Sequence, residues 1–457
     1  MSLLVITTVI HPVRRRMLIW PLISILLPWF CRSAENYNGY TLIRFNADEA
    51  LAKWLTEMEN EGYEINEVTE QRRVLLDVWG EPSRQNPVAD VLVAPEFLSS
   101  FLDMLSKRGV TYVETLKEDI GRDIRRERRH LERYRRRTKR SSNAMDFDVE
   151  NYHSYDEMVE FMQLLADQRR DLVTLLNISK TFEGRPMYGV KISSSHRFKP
   201  AIFVDAGIHA REWVAPAAAL YMIKKLVSQY GKDPVITRSV NKFDWYIIPQ
   251  ANPDGYEYSR VSDRLWRKTR SRNITVNKWC VGADANRNWG HRWGEAGANR
   301  SPCSNIYAGS RPFSEPEIVG LRDLVTWQIP NLIIYASLHS YGQLLLSPWG
   351  YTQTRPDNYL DQRNAAEIAV AAMRNATGAN YNYGTIAELM YPASGTSIDY
   401  MQDRGVPYIF GVELRPQDSL YDSYAFSLPP HYIKPTGEEM LAGLIAIGDY
   451  AILHKKI

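Results

Sequence analysis

From residue 141 onward, nearly unbroken apolar runs alternate with amphipathic stretches. The runs at 201–205, 245–249, 332–335 and 407–412 offer no polar face, the pattern of strands buried on both sides. Apolar residues recur at helical spacing near 155–169, 215–229, 315–327, 360–375 and 434–454. Such strands separated by helices predict an α/β fold with a mixed, largely parallel central sheet and helices on both faces. In a sheet of that kind the ligand site lies beyond the carboxyl ends of the strands.

Residues 35–121 follow a different pattern. Positions 40–45 alternate at period two, and 49–60 carry apolar residues at helical spacing. Strand patterns recur at 73–79 and 89–93, Phe97, Phe101 and Leu105 form one helical stripe within 95–107, and 111–113 closes the segment. Strand, helix, strand, strand, helix, strand is the order of a small ferredoxin-like α+β unit.

Composition narrows the class. The 457 residues are 44% hydrophobic and 24% charged, a soluble globular balance with room for two or three domains. A net charge of +3 argues against a nucleic-acid binder, and three cysteines exclude a disulfide-dense scaffold. The charge is segregated: residues 35–121 hold 8 basic and 17 acidic side chains, and residues 122–140 hold 11 basic and 3 acidic. Blocks of this kind mark separate physical units.

At the amino terminus, Arg14-Arg15-Arg16 precedes an apolar run from Met17 to Phe30 and small residues up to Ala34. A basic region, a short apolar run and small exit residues describe a secretory signal peptide over 1–34, with a signal anchor as the alternative. Its removal takes Cys31 and leaves Cys280 and Cys303, an even count expected to pair in an oxidising compartment. Sequons at Asn177, Asn273, Asn299 and Asn375 fit that route.

Segment 122–140 reads as a charged helix with only Ile124, Leu131 and Tyr134 to bury, ending in Arg137-Thr138-Lys139-Arg140. A solvated helix and a polyanion patch are two readings. Folded units on both sides favour a third, a processing hinge for a trypsin-like or furin-like protease.

Two histidines stand just past apolar strands: His209, in the spacing His209-x-x-Glu212, and His339. Two imidazoles and one carboxylate with a fourth position open is the ligand set of a catalytic zinc site, for which carboxypeptidase A is a standard example. Each motif alone is weak. In order along residues 141–457 they are joined by Arg264-Leu265-Trp266-Arg267, Asp284-Ala285-Asn286-Arg287-Asn288, Tyr391-Pro392-Ala393-Ser394-Gly395-Thr396-Ser397-Ile398-Asp399-Tyr400 and Val412-Glu413-Leu414-Arg415.

With these motifs the chain resembles a secreted zinc metallocarboxypeptidase of the pancreatic A/B type in proenzyme form. The resemblance implies Zn2+ held by His209, Glu212 and His339, and Glu413 as the carboxylate that exchanges protons with the attacking water and the leaving amine. It implies Arg267 at the developing oxyanion, Asn286, Arg287 and Tyr391 as the groups that hold the substrate's terminal carboxylate, and Arg211 and Tyr341 along the substrate path. Asp284 is implied as the partner that orients a ligand histidine. It further implies a signal peptide at 1–34, an activation domain at 35–121, a connecting hinge at 122–140 and a catalytic domain at 141–457.

The family's B-type enzymes carry an acid where Ile398 stands here. With Ile386 beside it, and Leu346, Gly350, Met390, Ala393 and Gly411 matching other lining positions, the resemblance implies an apolar pocket. A Lys or Arg side chain finds no partner there, so the expected preference is A-type, for apolar or aromatic terminal residues. Pro392, Thr396 and Tyr400 depart from the family pattern, and the long loop after Glu413 leaves the place of Phe426 at the pocket rim open. The expected partners are peptide C-termini and an activating protease, with no nucleic acid, and the chain is expected to be a monomer. A zinc amidohydrolase for small acylated amino acids and a non-catalytic binding relative are the alternatives.

Overall fold

The computed structural model describes residues 37–66, 71–80, 82, 87–137, 141–194, 199–273, 275, 277–417 and 424–454. The leader expected at 1–34, with Cys31, and residues 138–140 of the expected hinge lie outside them. No helix among the described residues is long and apolar enough to cross a membrane.

The amino-terminal part runs β1 (Thr41–Asn46), α1 (Glu49–Glu61), β2 (Tyr63–Asn66), β3 (Gln71–Val74), β4 (Leu76–Gly80), β5 (Val88–Val93), α2 (Pro95–Lys107) and β6 (Glu114–Lys117). Its antiparallel sheet has the order β4-β5-β1-β6, the ferredoxin-like arrangement. Asp48 caps α1 by accepting from Leu51 N–H, which satisfies one orphan donor of the first turn. Leu55, Val91, Phe101 and Leu105 bury the faces of α1, β5 and α2 in one small core.

The apolar run at 73–79 is not one strand. It breaks at Leu75, whose N–H, like that of Leu76, donates to Gly62 O. The half before the break pairs with β2 in a separate hairpin. Alternation at period two is the same on both sides of such a break, so the pattern alone does not mark it. The final strand is three residues later than 111–113, because Val110 and Val113 pack onto the small core from a loop.

After α3 (Ile120–Arg137) come α4 (Tyr155–Gln168), β7 (Val173–Lys180), β8 (Pro186–Ile192), β9 (Ala201–Ala206), α5 (Val214–Gln229), α6 (Pro234–Lys242), β10 (Asp244–Ile248) and α7 (Pro253–Val261). Then follow α8 (Pro316–Asp323), β11 (Leu332–Gly342), β12 (Leu344–Ser347), α9 (Tyr359–Thr377), β13 (Asn382–Thr385), α10 (Ile386–Leu389), α11 (Ser397–Asp403), β14 (Tyr408–Gln417) and α12 (Ile433–Leu453). The eight strands lie in the order β13-β12-β14-β11-β9-β10-β8-β7. The inner four are parallel to one another, and β8 and β7 extend the sheet antiparallel.

Side-chain alternation splits the sheet between two cores. Ile202, Val204, Ala336, Leu338, Phe410 and Val412 face the core under α5, α9 and α12. Ala201, Phe203, Tyr335 and Ile409 face the opposite one. By the same period of two, Asp205, Ser337, His339, Gly411 and Glu413 belong to the second face. There the polar residues gather at the carboxyl ends of the parallel strands.

Candidate metal centre and active site

His209 stands on the turn after β9. Gly207 makes that turn with φ +71°, and a Cβ there would lie 2.5 Å from the Gln250 side chain, so glycine is needed to bring the histidine round. Glu212 follows at the approach to α5, and His339 lies near the end of the buried part of β11. All three side chains are buried, and one ligand atom from each lies within 4.8 Å of the others.

The hydrogen bonds around this cluster suit a cation. His209 Nε2 lies 3.1 Å from Asp284 Oδ1, and His339 Nε2 lies 3.1 Å from Ser337 Oγ. Ser337 in turn donates to Asp205 at 2.7 Å, leaving its oxygen free to accept from the imidazole. With both Nε2 atoms donating, the Nδ1 atoms carry lone pairs, and they face each other at 3.2 Å. Glu212 Oε1 is 2.7 Å from His209 Nδ1, while Oε2, 3.3 Å from His339 Nδ1, makes no hydrogen bond. Lone pairs and an orphaned carboxylate oxygen converging in a buried space fit a zinc ion.

Burial opposes charge on Glu212, yet His209 and His339 hold its carboxyl well below the usual range. Glu413 pairs with His339 across the β11–β14 register. Burial pushes its carboxyl up to about 7, with His339 and Arg267 pulling it down and Glu212 pushing it further up.

Asp284 anchors the opposite wall. Besides His209 it accepts from Arg267 Nη2 at 2.8 Å and from Asn286 N–H at 2.8 Å. Burial works against both charges. Even so, the Asp284 carboxyl is held well below its usual range by Arg267, His209 and Arg287, and Arg267 is raised above its own by Asp284. Arg287 donates to Gly297 O at 2.7 Å and to Tyr391 Oη at 3.2 Å. Ser397 N–H donates to Asn286 Oδ1 at 3.0 Å, lacing the Asp284–Asn288 segment to the loop that carries Tyr391 and Ile398.

Beside these groups lies one cavity of about 600 Å³. The metal-ligand candidates, Glu413, Arg267, Asn286, Arg287, Arg211, Tyr341 and Tyr391 are all on its wall, and so are Ile386, Ile398 and Gly411. Asp399, next to Ile398, is turned away and accepts from Gly350 and Tyr351 N–H. Gly350 is therefore beside the wall rather than on it. Phe426, itself buried, also lines the cavity, 4.9 Å from Trp79 and 5.3 Å from Tyr341 between ring centroids. Cys280 and Cys303 form a disulfide.

The amino-terminal sheet closes the cavity, a contact no single motif points to. Val78, Trp79 and Gly80 of β4 reach the cavity wall. Asp77 pairs with Arg211 at 2.6 Å and also accepts from Asn305 at 2.8 Å. On α3, Glu127 takes Arg264 in two contacts, at 2.5 and 3.1 Å. An acid isolated in the apolar run Leu75-Leu76-Asp77-Val78-Trp79 was the available signal for the first of these.

Comparison with known proteins agrees with this geometry. The zinc carboxypeptidase family matches residues 158–443, and the carboxypeptidase activation peptide matches residues 55–127. Carboxypeptidase A1 of Rattus norvegicus is 35% identical over 95% of this chain and 98% of its own. Carboxypeptidase A4 of Mus musculus is 38% identical over 86% and 92%. The crystal structure of carboxypeptidase A from Helicoverpa armigera superposes with a TM-score of 0.82 at 28% identity, covering 93% of this chain and 100% of that one. The chain belongs to the zinc carboxypeptidase family, as a zinc metallocarboxypeptidase that carries an activation peptide.

Proposed function

We propose that the chain is a secreted zymogen: cleavage within 122–140 frees the unit 141–457 to remove apolar or aromatic residues from peptide C-termini. What supports this reading is a single cavity lined by the His–Glu–His cluster, by Asn286, Arg287 and Tyr391, and by the apolar Ile386 and Ile398, with residues of the activation peptide on its wall. The disulfide and the sequons support secretion.

His209, Glu212 and His339 hold zinc, which when bound polarises the scissile carbonyl and lowers the pKa of water towards about 7. Glu413 takes the proton of the attacking water and passes it to the leaving amine. Arg267, fixed by Asp284, faces the oxygen that gains charge. Asn286, Arg287 and Tyr391 hold the terminal carboxylate, with Arg211 and Tyr341 along the path, which selects a chain end over an internal bond. The terminal side chain enters the space bounded by Ile386, Ile398 and Gly411, and Phe426 flanks its mouth. A zinc amidohydrolase for small acylated amino acids has no use for an activation peptide.

Treatment with trypsin is expected to raise hydrolysis of peptides ending in Phe or Leu well above that of matched peptides ending in Arg or Glu, and a zinc chelator to abolish it. Full activity of the uncut chain, or preference for terminal Arg, contradicts the reading.

A further inference from the structure

α3 turns two unlike faces to its surroundings. Ile120, Ile124 and Leu131 are buried, and the Glu127–Arg264 pair pins the same side to the large unit. The opposite side carries Arg122, Arg126, Arg129, Arg133 and Arg136, all exposed. Their spacing of four, three, four and three follows the helical repeat, so they form one straight row about 21 Å long at 1.5 Å per residue.

Among the described residues little neutralises this row. Asp123 lies at its edge, 3.3 Å from Lys117 and 3.8 Å from Arg126. Among the described residues no acidic side chain pairs with Arg122, Arg129, Arg133 or Arg136. Arginines in the last turn suit the helix dipole, but Arg122 stands in the first turn, where it disfavours them. Like charges at this spacing cost a helix roughly 0.2–0.5 kcal/mol per pair. Neither packing nor helix stability accounts for the row.

We infer that the exposed face of α3 is a docking site for a linear sulfated polysaccharide. Guanidinium groups in a straight row meet successive sulfates along an extended chain, each able to bond two oxygens. The disulfide between Cys280 and Cys303 places the protein in an oxidising compartment, where the linear polyanions are glycans. Nucleic acid fits less well, since no aromatic ring stands in the row to stack a base; Tyr134 is turned towards His153. If 122–140 is the processing hinge proposed above, a cut beyond α3 releases the catalytic unit from the glycan and leaves the row behind.

The test is a salt titration of heparin binding by the uncut full chain, which reads no peptidase activity and so stands apart from the cleavage reading. Heparin is expected to bind more tightly than a DNA duplex of equal charge. A triple variant, R122Q/R129Q/R133Q, is expected to lose at least about tenfold in affinity and to show a shallower salt dependence, as fewer counterions are released. An unchanged melting temperature shows that the variant is folded. Wild-type affinity in the variant, no heparin binding at physiological salt, or equal binding of the duplex overturns the inference.

Discussion

Asp77 Oδ2 lies 2.6 Å from Arg211 Nη1, a buried pair that joins the amino-terminal sheet to the wall of the metal cavity. The pair occupies an arginine that the proposed mechanism needs for substrate. Covering and competing are thus done by the same strand.

Breaking that pair is expected to loosen the cover. Removing one partner of a buried ion pair costs about 3–5 kcal/mol. The uncut Asp77→Asn chain should therefore hydrolyse a short peptide substrate at least about tenfold faster than the uncut wild type, while the trypsin-cut enzymes match. Equal rates for the two uncut chains remove Asp77 from the inhibitory contact.

The end wall sets specificity. Ile398→Asp is expected to reverse preference from terminal Phe to terminal Arg, because the new carboxylate supplies the partner a cation lacks there. At Gly411 an added Cβ would lie 3.6 Å from Ile398 Cγ1 and 3.8 Å from Leu346 Cβ, so a side chain fits but fills the floor. Gly411→Thr should lower kcat/KM for peptides ending in Trp by about tenfold relative to those ending in Leu. An unchanged ratio moves the side-chain pocket elsewhere.

Glu317 predicts a pH-dependent stability. Burial pushes its carboxyl up to about 8, with Glu315 and Asp254 adding to the rise against the Phe182 N–H that it accepts. The folded chain therefore keeps a proton that the unfolded chain releases, and stability falls as pH rises from the usual 4.5 through about 8. Glu317→Gln should melt at the wild-type temperature at pH 5 and at least about 1 °C higher at pH 8, the shift that corresponds to about 1 kcal/mol at an unfolding entropy of about 2.1 cal/mol/K per residue over a chain of this size. A variant less stable at both pH values contradicts this.

Local order made part of the molecule legible and distance hid the rest. His209, Glu212 and His339 sit where apolar strands end, so strand pattern and ligand type coincide within a few residues. The βαββαβ order also follows from periodicity alone. Asp77 and Glu127 are different: each is an ordinary acid on its own element, and each partner lies more than 130 residues away. Asp205 was similarly hidden, an acid inside a buried strand whose role behind His339 depends on Ser337 in the neighbouring strand. The β2–β3 hairpin escaped because its break at Leu75 preserves the alternation.

Metal analysis combined with X-ray absorption on the purified chain goes straight to the centre of the account. One zinc per chain is predicted, bound by two imidazole nitrogens at about 2.0–2.1 Å and a carboxylate oxygen at about 2.0–2.2 Å. His339→Ala should lose the ion, and Glu413→Gln should keep it while losing activity. Zinc absent from the wild type, or retained in full by His339→Ala, contradicts the site.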